Sequence, residues 1–202
     1  MDLENVVELH QEVNSLKTTT RYSSCHPRIQ ESTADHSWQL TFLALDTIEA
    51  LNLRDLNQIE VAKLALYHDL AEYQDAHDVD SYNVAKGKAS KQEKQEIEEQ
   101  VMRDLAEKYD RPDIYQRWLD YEQSRTPEAK YIKAMDKIES ILHMAGKGET
   151  GREDDGDHTA HYADEAVLAF PRLKPLLKIV KSKLKVAYQE RGLDWKPEYD
   201  EV

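Results

Sequence analysis

The stretch from Thr126 to Leu142 constrains the fold more than any other part of this sequence. Ala129, Ile132, Met135, Ile138, Ile141 and Leu142 recur at three- and four-residue intervals, which an α-helix gathers onto one side. Thr126 and Pro127 mark its start, a capping hydroxyl followed by a proline at the first helical position. Asp136 lies beside the apolar stripe, where an unpaired carboxylate would be costly. That residue calls for a cation.

The same period runs through most of the chain. Leu3, Val6, Val7, Leu9, Val13 and Leu16 outline an amphipathic helix over 3–16. Ser32-Thr33-Ala34-Asp35 offers capping chemistry ahead of a helix over 35–51, with His36, Leu40, Leu43 and Thr47 on one stripe. A turn at 52–57 leads into a helix over 58–73, and a charged helix over 91–109 places Ile97, Val101, Leu105 and Tyr109 at four-residue spacing. The Lys and Glu residues around that stripe read as a wet surface. Residues 160–169 and 171–191 form two closing helices with a seam of Leu173, Leu176, Leu177, Val180, Leu184 and Tyr188. Between these lie the aperiodic Thr18–Pro27, the acidic Tyr73–Asn83, the Gly-rich Gly146–Asp157 and a tail over 193–202. No strand pair and no internal repeat is visible. With 202 residues, only six Gly and six Pro, and 33% charged side chains, the expectation is one all-α domain over 1–202.

Charge narrows the function classes. A net charge of -13 leaves no basic surplus to displace counterions, so nucleic-acid binding is not expected. A phosphate site in such a field must be a local positive spot. The one cysteine, Cys25, fits a reducing compartment. No signal-like segment and no apolar run near the ~18 residues of a membrane span is present, so a cytoplasmic protein with no membrane partner is expected.

The chemistry concentrates in Leu64–Glu72, an apolar run that carries His68-Asp69 and, one turn on, Glu72. Neighbouring helical residues diverge by roughly 100°, so His68 and Asp69 can grip one ion from two sides but cannot face each other. Imidazole with carboxylate suits Mn, Fe, Co, Ni or Zn. Joined with His36 and Asp136, the doublet gives two imidazoles and two carboxylates from three helices, with coordination positions left for water and substrate. His158 and His161 form a further i,i+3 pair beside an acidic loop, a weaker metal candidate.

The order His36, His68-Asp69, Asp136 is the signature of the HD-domain metal-dependent phosphohydrolases, and its flanks resemble the 5'-deoxynucleotidase branch. Glu31-Ser32-Thr33-Ala34-Asp35-His36-Ser37, His68-Asp69-Leu70-Ala71-Glu72, Tyr121-Glu122, Thr126-Pro127-Glu128-Ala129-Lys130 and Asp136-Lys137-Ile138-Glu139 are similar to that branch's blocks, in the same order. They lie within about 16–142, and the helices over 158–192 carry no such block. The resemblance implies an HD-domain helical bundle that hydrolyses nucleoside 5'-monophosphates with one divalent ion (Co, Mn, Fe, Ni, Zn or Mg). It implies His36, His68, Asp69 and Asp136 as ligands, Glu72 as catalytic carboxylate, and a homodimer for which the closing helices are available. Arg21 falls on the phosphate-holding arginine, and Tyr22 stands where bacterial members have a tryptophan near the sugar, which opens the question of deoxy-over-ribo selectivity. The branch's second carboxylate falls five residues after Glu72, where this chain has His77. One inserted residue between Tyr73 and Ala76 brings Asp78 into that role, with Asp75 as the competing candidate. A dNTP triphosphohydrolase or other nucleotide phosphohydrolase on the same metal site, and a non-catalytic nucleotide-binding or interaction module, are the alternatives.

Overall fold

The computed structural model describes residues 2–22, 27–74, 90–151 and 156–202. Helix α6, Pro127–Gly146, forms as its sequence requires: Thr126 accepts a hydrogen bond from the Ala129 amide, and Pro127 occupies the first turn. It is buried on most sides, from Ala129 and Tyr131 to Ile141 and Met144. Around it lie α2 (Thr33–Ala50), α3 (Gln58–Tyr67), α5 (Pro112–Glu122) and α9 (Lys174–Glu190). Tyr131 ties α6 to α2 by donating to the Ala44 carbonyl at 2.6 Å. Among the described residues the fold is all-α apart from one two-residue strand pair.

Two apolar clusters fill the molecule. The larger joins α2, α3 and α6 to α9 and to the short helices α7 (Gly156–His161) and α8 (Asp164–Ala169). The smaller joins Leu9 of α1 (Leu3–Glu12) to α4 (Lys91–Lys108), α5 and a 3₁₀ segment, Leu70–Gln74. Leu64 and Ala65 belong to the first cluster, and Leu70, Ala71 and Tyr73 to the second. His68 and Asp69 sit at the seam between them.

Several local expectations are corrected. The opening helix stops at Glu12 and tightens into a 3₁₀ turn over Val13–Lys17. There Ser15, a residue whose hydroxyl competes for backbone groups, donates to the Tyr73 carbonyl at 2.6 Å. The aperiodic stretch after Thr18 contains a strand: β1, Thr20–Arg21, pairs antiparallel with β2, Glu31–Ser32, so that Arg21 opposes Glu31. The helix expected over 58–73 ends at Tyr67. In a continuing helix the Ala65 carbonyl would accept from the Asp69 amide; it accepts from His68 Nδ1 at 2.9 Å instead. The chain then resumes with an i→i+3 bond from the Glu72 amide to the Asp69 carbonyl, at 3.1 Å. Residues 193–202 are no loose tail. Tyr199 is buried against Tyr188 and Trp195, and Lys181 donates to the Glu201 carbonyl. Among the described residues, no helix is long and apolar enough to cross a membrane.

Candidate active site

Ser32 starts α2 with a reciprocal capping box: its hydroxyl accepts from the Asp35 amide, and the Asp35 carboxylate accepts from the Ser32 amide. That fixes the first turn and points His36, fully buried, toward the seam. His36 Nδ1 donates to Glu139 Oε2 at 2.6 Å, and His68 Nδ1 donates to the Ala65 carbonyl. Each ring is thereby held with Nε2 directed at the site. Both Nε2 atoms are buried and have no hydrogen-bond partner.

One ligand-type atom each from His36, His68 and Asp69 lies within 4.8 Å of the others. Asp136 Oδ1 lies 3.1 Å from His36 Nε2 and 3.9 Å from His68 Nε2. Its other oxygen accepts from the buried Tyr121 hydroxyl at 2.9 Å. Two imidazole lone pairs and two carboxylates thus converge, a donor set that fits a divalent transition metal. Electrostatics point the same way. Burial and the Arg21 charge favour neutral His36, yet Asp136 and Glu139 outweigh them and raise it to about 10. Burial opposes ionised Asp69, but His68 and Arg21 hold its carboxyl well below the usual range. Asp136 is likewise held down against burial, chiefly by His36 and then His68. The cluster demands positive charge at its centre.

The remaining sequence candidates divide. Arg21, presented by β1, donates to Asp69 and lies 4.0 Å from Asp136 and 3.8 Å from Glu31. Tyr22 follows at φ 58, a left-handed conformation that costs a side-chain-bearing residue roughly 1 kcal/mol. Its ring stacks on His143 at 6.0 Å, with the Arg21 guanidinium 5.7 Å from the ring centre. Glu72 Oε2 accepts from the Thr33 hydroxyl at 2.7 Å. Burial and then the Asp69 charge push Glu72 upward, while Arg21, Thr33 and Lys94 pull it part of the way back. Asp78, its competitor Asp75 and His77 lie outside the described residues. His161 is engaged by Asp164 at 2.7 Å and His158 lies beside the Tyr162 ring, and among the described residues neither joins a group that could hold a metal.

Sequence reasoning assigned no role to Glu139, Glu31, Thr33 or Tyr121. Glu139 was within reach, because it follows Asp136 by three residues and shares its helical face. It orients a candidate ligand, and with Glu31 and His36 it forms a second group of ligand-type atoms within 4.8 Å of one another. Glu139→Gln, which offers an amide to His36 Nδ1, is expected to lower metal affinity by about 10-fold or more. Calorimetric metal titration measures this, and unchanged affinity would remove Glu139 from the site.

A family model described as HD domain matches residues 13–169. The chain belongs to the HD domain family. A zebrafish (Danio rerio) protein named 5'-deoxynucleotidase HDDC2 is 31% identical over 142 residues, covering 69% of this chain and 68% of its own length. A Schizosaccharomyces pombe protein named 5'-deoxynucleotidase hdd1 is 30% identical over 141 residues, covering 65% and 67%. The chain thus spans about two thirds of the length of these curated relatives. In structure it resembles a Magnetospirillum magnetotacticum protein titled "Predicted metal-dependent phosphohydrolase". The TM-score is 0.73 at 21% identity, over 96% of this chain and 98% of that one. A Pyrococcus horikoshii protein gives 0.68 at 22% identity, over 88% and 99%. These two likenesses show a shared fold.

Proposed function

We propose that this protein hydrolyses nucleoside 5'-monophosphates, deoxynucleotides among them, to nucleoside and phosphate, using one divalent metal ion. The observation that carries the reading is the pair of buried, unpartnered Nε2 atoms facing two carboxylates beside an arginine. The names of the zebrafish and fission-yeast relatives support the substrate class.

His36, His68, Asp69 and Asp136 hold the ion. A bound divalent ion supplies neutralisation of phosphoryl charge and a water of lowered pKa. Arg21 gives the phosphate a planar fork of donors. Glu72 takes the proton of the attacking water as the new P–O bond forms and the bond from phosphorus to O5' breaks. Asp78 is assigned to return a proton to O5', on sequence grounds. Tyr22 flanks the sugar. A cytoplasmic homodimer remains the expected setting.

A phosphate-release screen tests the reading. Purified protein is offered deoxynucleoside and ribonucleoside monophosphates and dNTPs, each with Co, Mn, Mg, Zn, Ni or Fe. Release from monophosphates is the expected result. Tripolyphosphate from dNTPs alone would move the reading to a triphosphohydrolase, and no product with any metal would leave a binding module.

A further inference from the structure

Helix α4 breaks its own pattern at the end that nears the site. Val101, Met102, Leu105 and Tyr109 are buried against Leu70, Ala71 and Tyr73, as four-residue spacing demands. One turn earlier, Ile97 is 40% exposed, while the side chains of Lys94 and Glu98 are only 26% and 15% exposed. The apolar residue faces water and the charged pair faces inward. Lys94 Nζ lies 3.3 Å from Glu98 Oε1. On a surface such a pair contributes about 0.3–0.5 kcal/mol, and desolvating both ions opposes even that. Packing alone would have placed Ile97's character at 94 or 98. A local rule broken without gain in stability points to function.

The surroundings say which function. α4 packs on the 3₁₀ segment that carries Glu72. Burial opposes the Lys94 charge, yet Glu98, Glu72 and Asp69 together hold its ammonium above the usual range, so it shares the field of the site. Arg21 donates to Asp69, and the wall also holds Glu31, Glu72, Asp136 and Glu139. A phosphate dianion entering that wall is favoured by each cation placed near it besides Arg21 and the metal.

We propose that Lys94 is a second phosphate-binding residue, reaching the phosphate from α4 while Arg21 reaches from β1. The inference rests on the phosphoester reading above. Burial pushes Glu98 up to about 7 despite Lys94 beside it.

Binding of inorganic phosphate to the metal-loaded protein, followed by calorimetry, tests the proposal independently of turnover. Lys94→Gln is expected to raise the phosphate dissociation constant about 10-fold or more, the scale of one charge-assisted hydrogen bond. Lys94→Arg restores most of the affinity. Glu98→Gln, which leaves the lysine in place, stays within about twofold of wild type. Where a nucleotide is turned over, Lys94→Gln raises KM and leaves kcat near wild type. If the glutamine variant fails to fold, Lys94→Met keeps the methylene stem packed and is judged by the same criterion. A merely structural pair predicts that Lys94→Gln and Glu98→Gln both lower Tm while phosphate affinity stays put; that result, or a wild type that binds no phosphate, overturns the proposal. Lys94-dependent phosphate binding without hydrolysis of any nucleotide would sink the activity reading and leave this one standing.

Discussion

His68→Ala is expected to strip the protein of its metal and to cut phosphate release by about a thousandfold or more. The ring is buried, its Nδ1 is fastened to the Ala65 carbonyl, and its Nε2 makes no hydrogen bond and lies 3.2 Å from Asp69 Oδ2. Removing it takes away one of two nitrogen ligands. The electrostatic help that a metal gives phosphoryl transfer is several kcal/mol, and about 4 kcal/mol corresponds to a factor near a thousand. Metal content by elemental analysis and kcat with saturating metal are read together. The ring also packs against Tyr121, with centroids 5.0 Å apart, so alanine leaves a cavity. His68→Asn, which fills more of that space, separates loss of ligand from loss of packing. Full metal content with near-normal turnover in both variants would remove His68 from the ligand set.

The parts of this architecture that were legible in the sequence are those that repeat. α6 could be read from its apolar spacing and its Thr126-Pro127 start, and Asp136 from the cost of a bare carboxylate beside an apolar stripe. The strand pair could not. A two-residue ladder has no period to detect, yet it is what sets Arg21 against Glu31 and swings it toward Asp69. The α4 stripe was legible only in part. Spacing by four selects Ile97 as readily as Val101, and only the packing of α4 on Leu70–Gln74 turns 94 and 98 inward.

The doublet itself carries a similar lesson. A continuous helix through His68 would have set Asp69 and Glu72 by the α-helical period. The end of α3 at Tyr67 replaces that with 3₁₀ geometry, in which residues three apart eclipse. The cause is a side chain, His68, competing for a backbone carbonyl. The closing residues 193–202 were misread for the opposite reason. Trp195 and Tyr199 lie in a polar stretch without periodicity, and aromatic packing on Tyr188 buries Tyr199 and half-buries Trp195.

Glu72→Ala is expected to keep its metal and lose its chemistry. The Glu72 carboxylate does not join the group of His36, His68 and Asp69, and it makes none of the imidazole contacts that tie Asp136 to that group. It is held aside by the Thr33 hydroxyl, which donates to Oε2 at 2.7 Å from the first turn of α2. That leaves it oriented beside the candidate metal site, where it would act on a water held by the ion. Burial and Asp69 raise its pKa while Thr33, Arg21 and Lys94 restrain the rise, so it is a better proton acceptor than a surface glutamate. Loss of such a group costs about 100-fold in turnover or more, and this is the expected drop in kcat at saturating metal. Thr33→Val, which removes the orienting hydrogen bond but leaves the carboxylate, should fall between wild type and Glu72→Ala. Metal content is the decisive companion measurement. If Glu72→Ala loses its metal along with its activity, Glu72 is a ligand and the division between holding the ion and moving the proton is wrong.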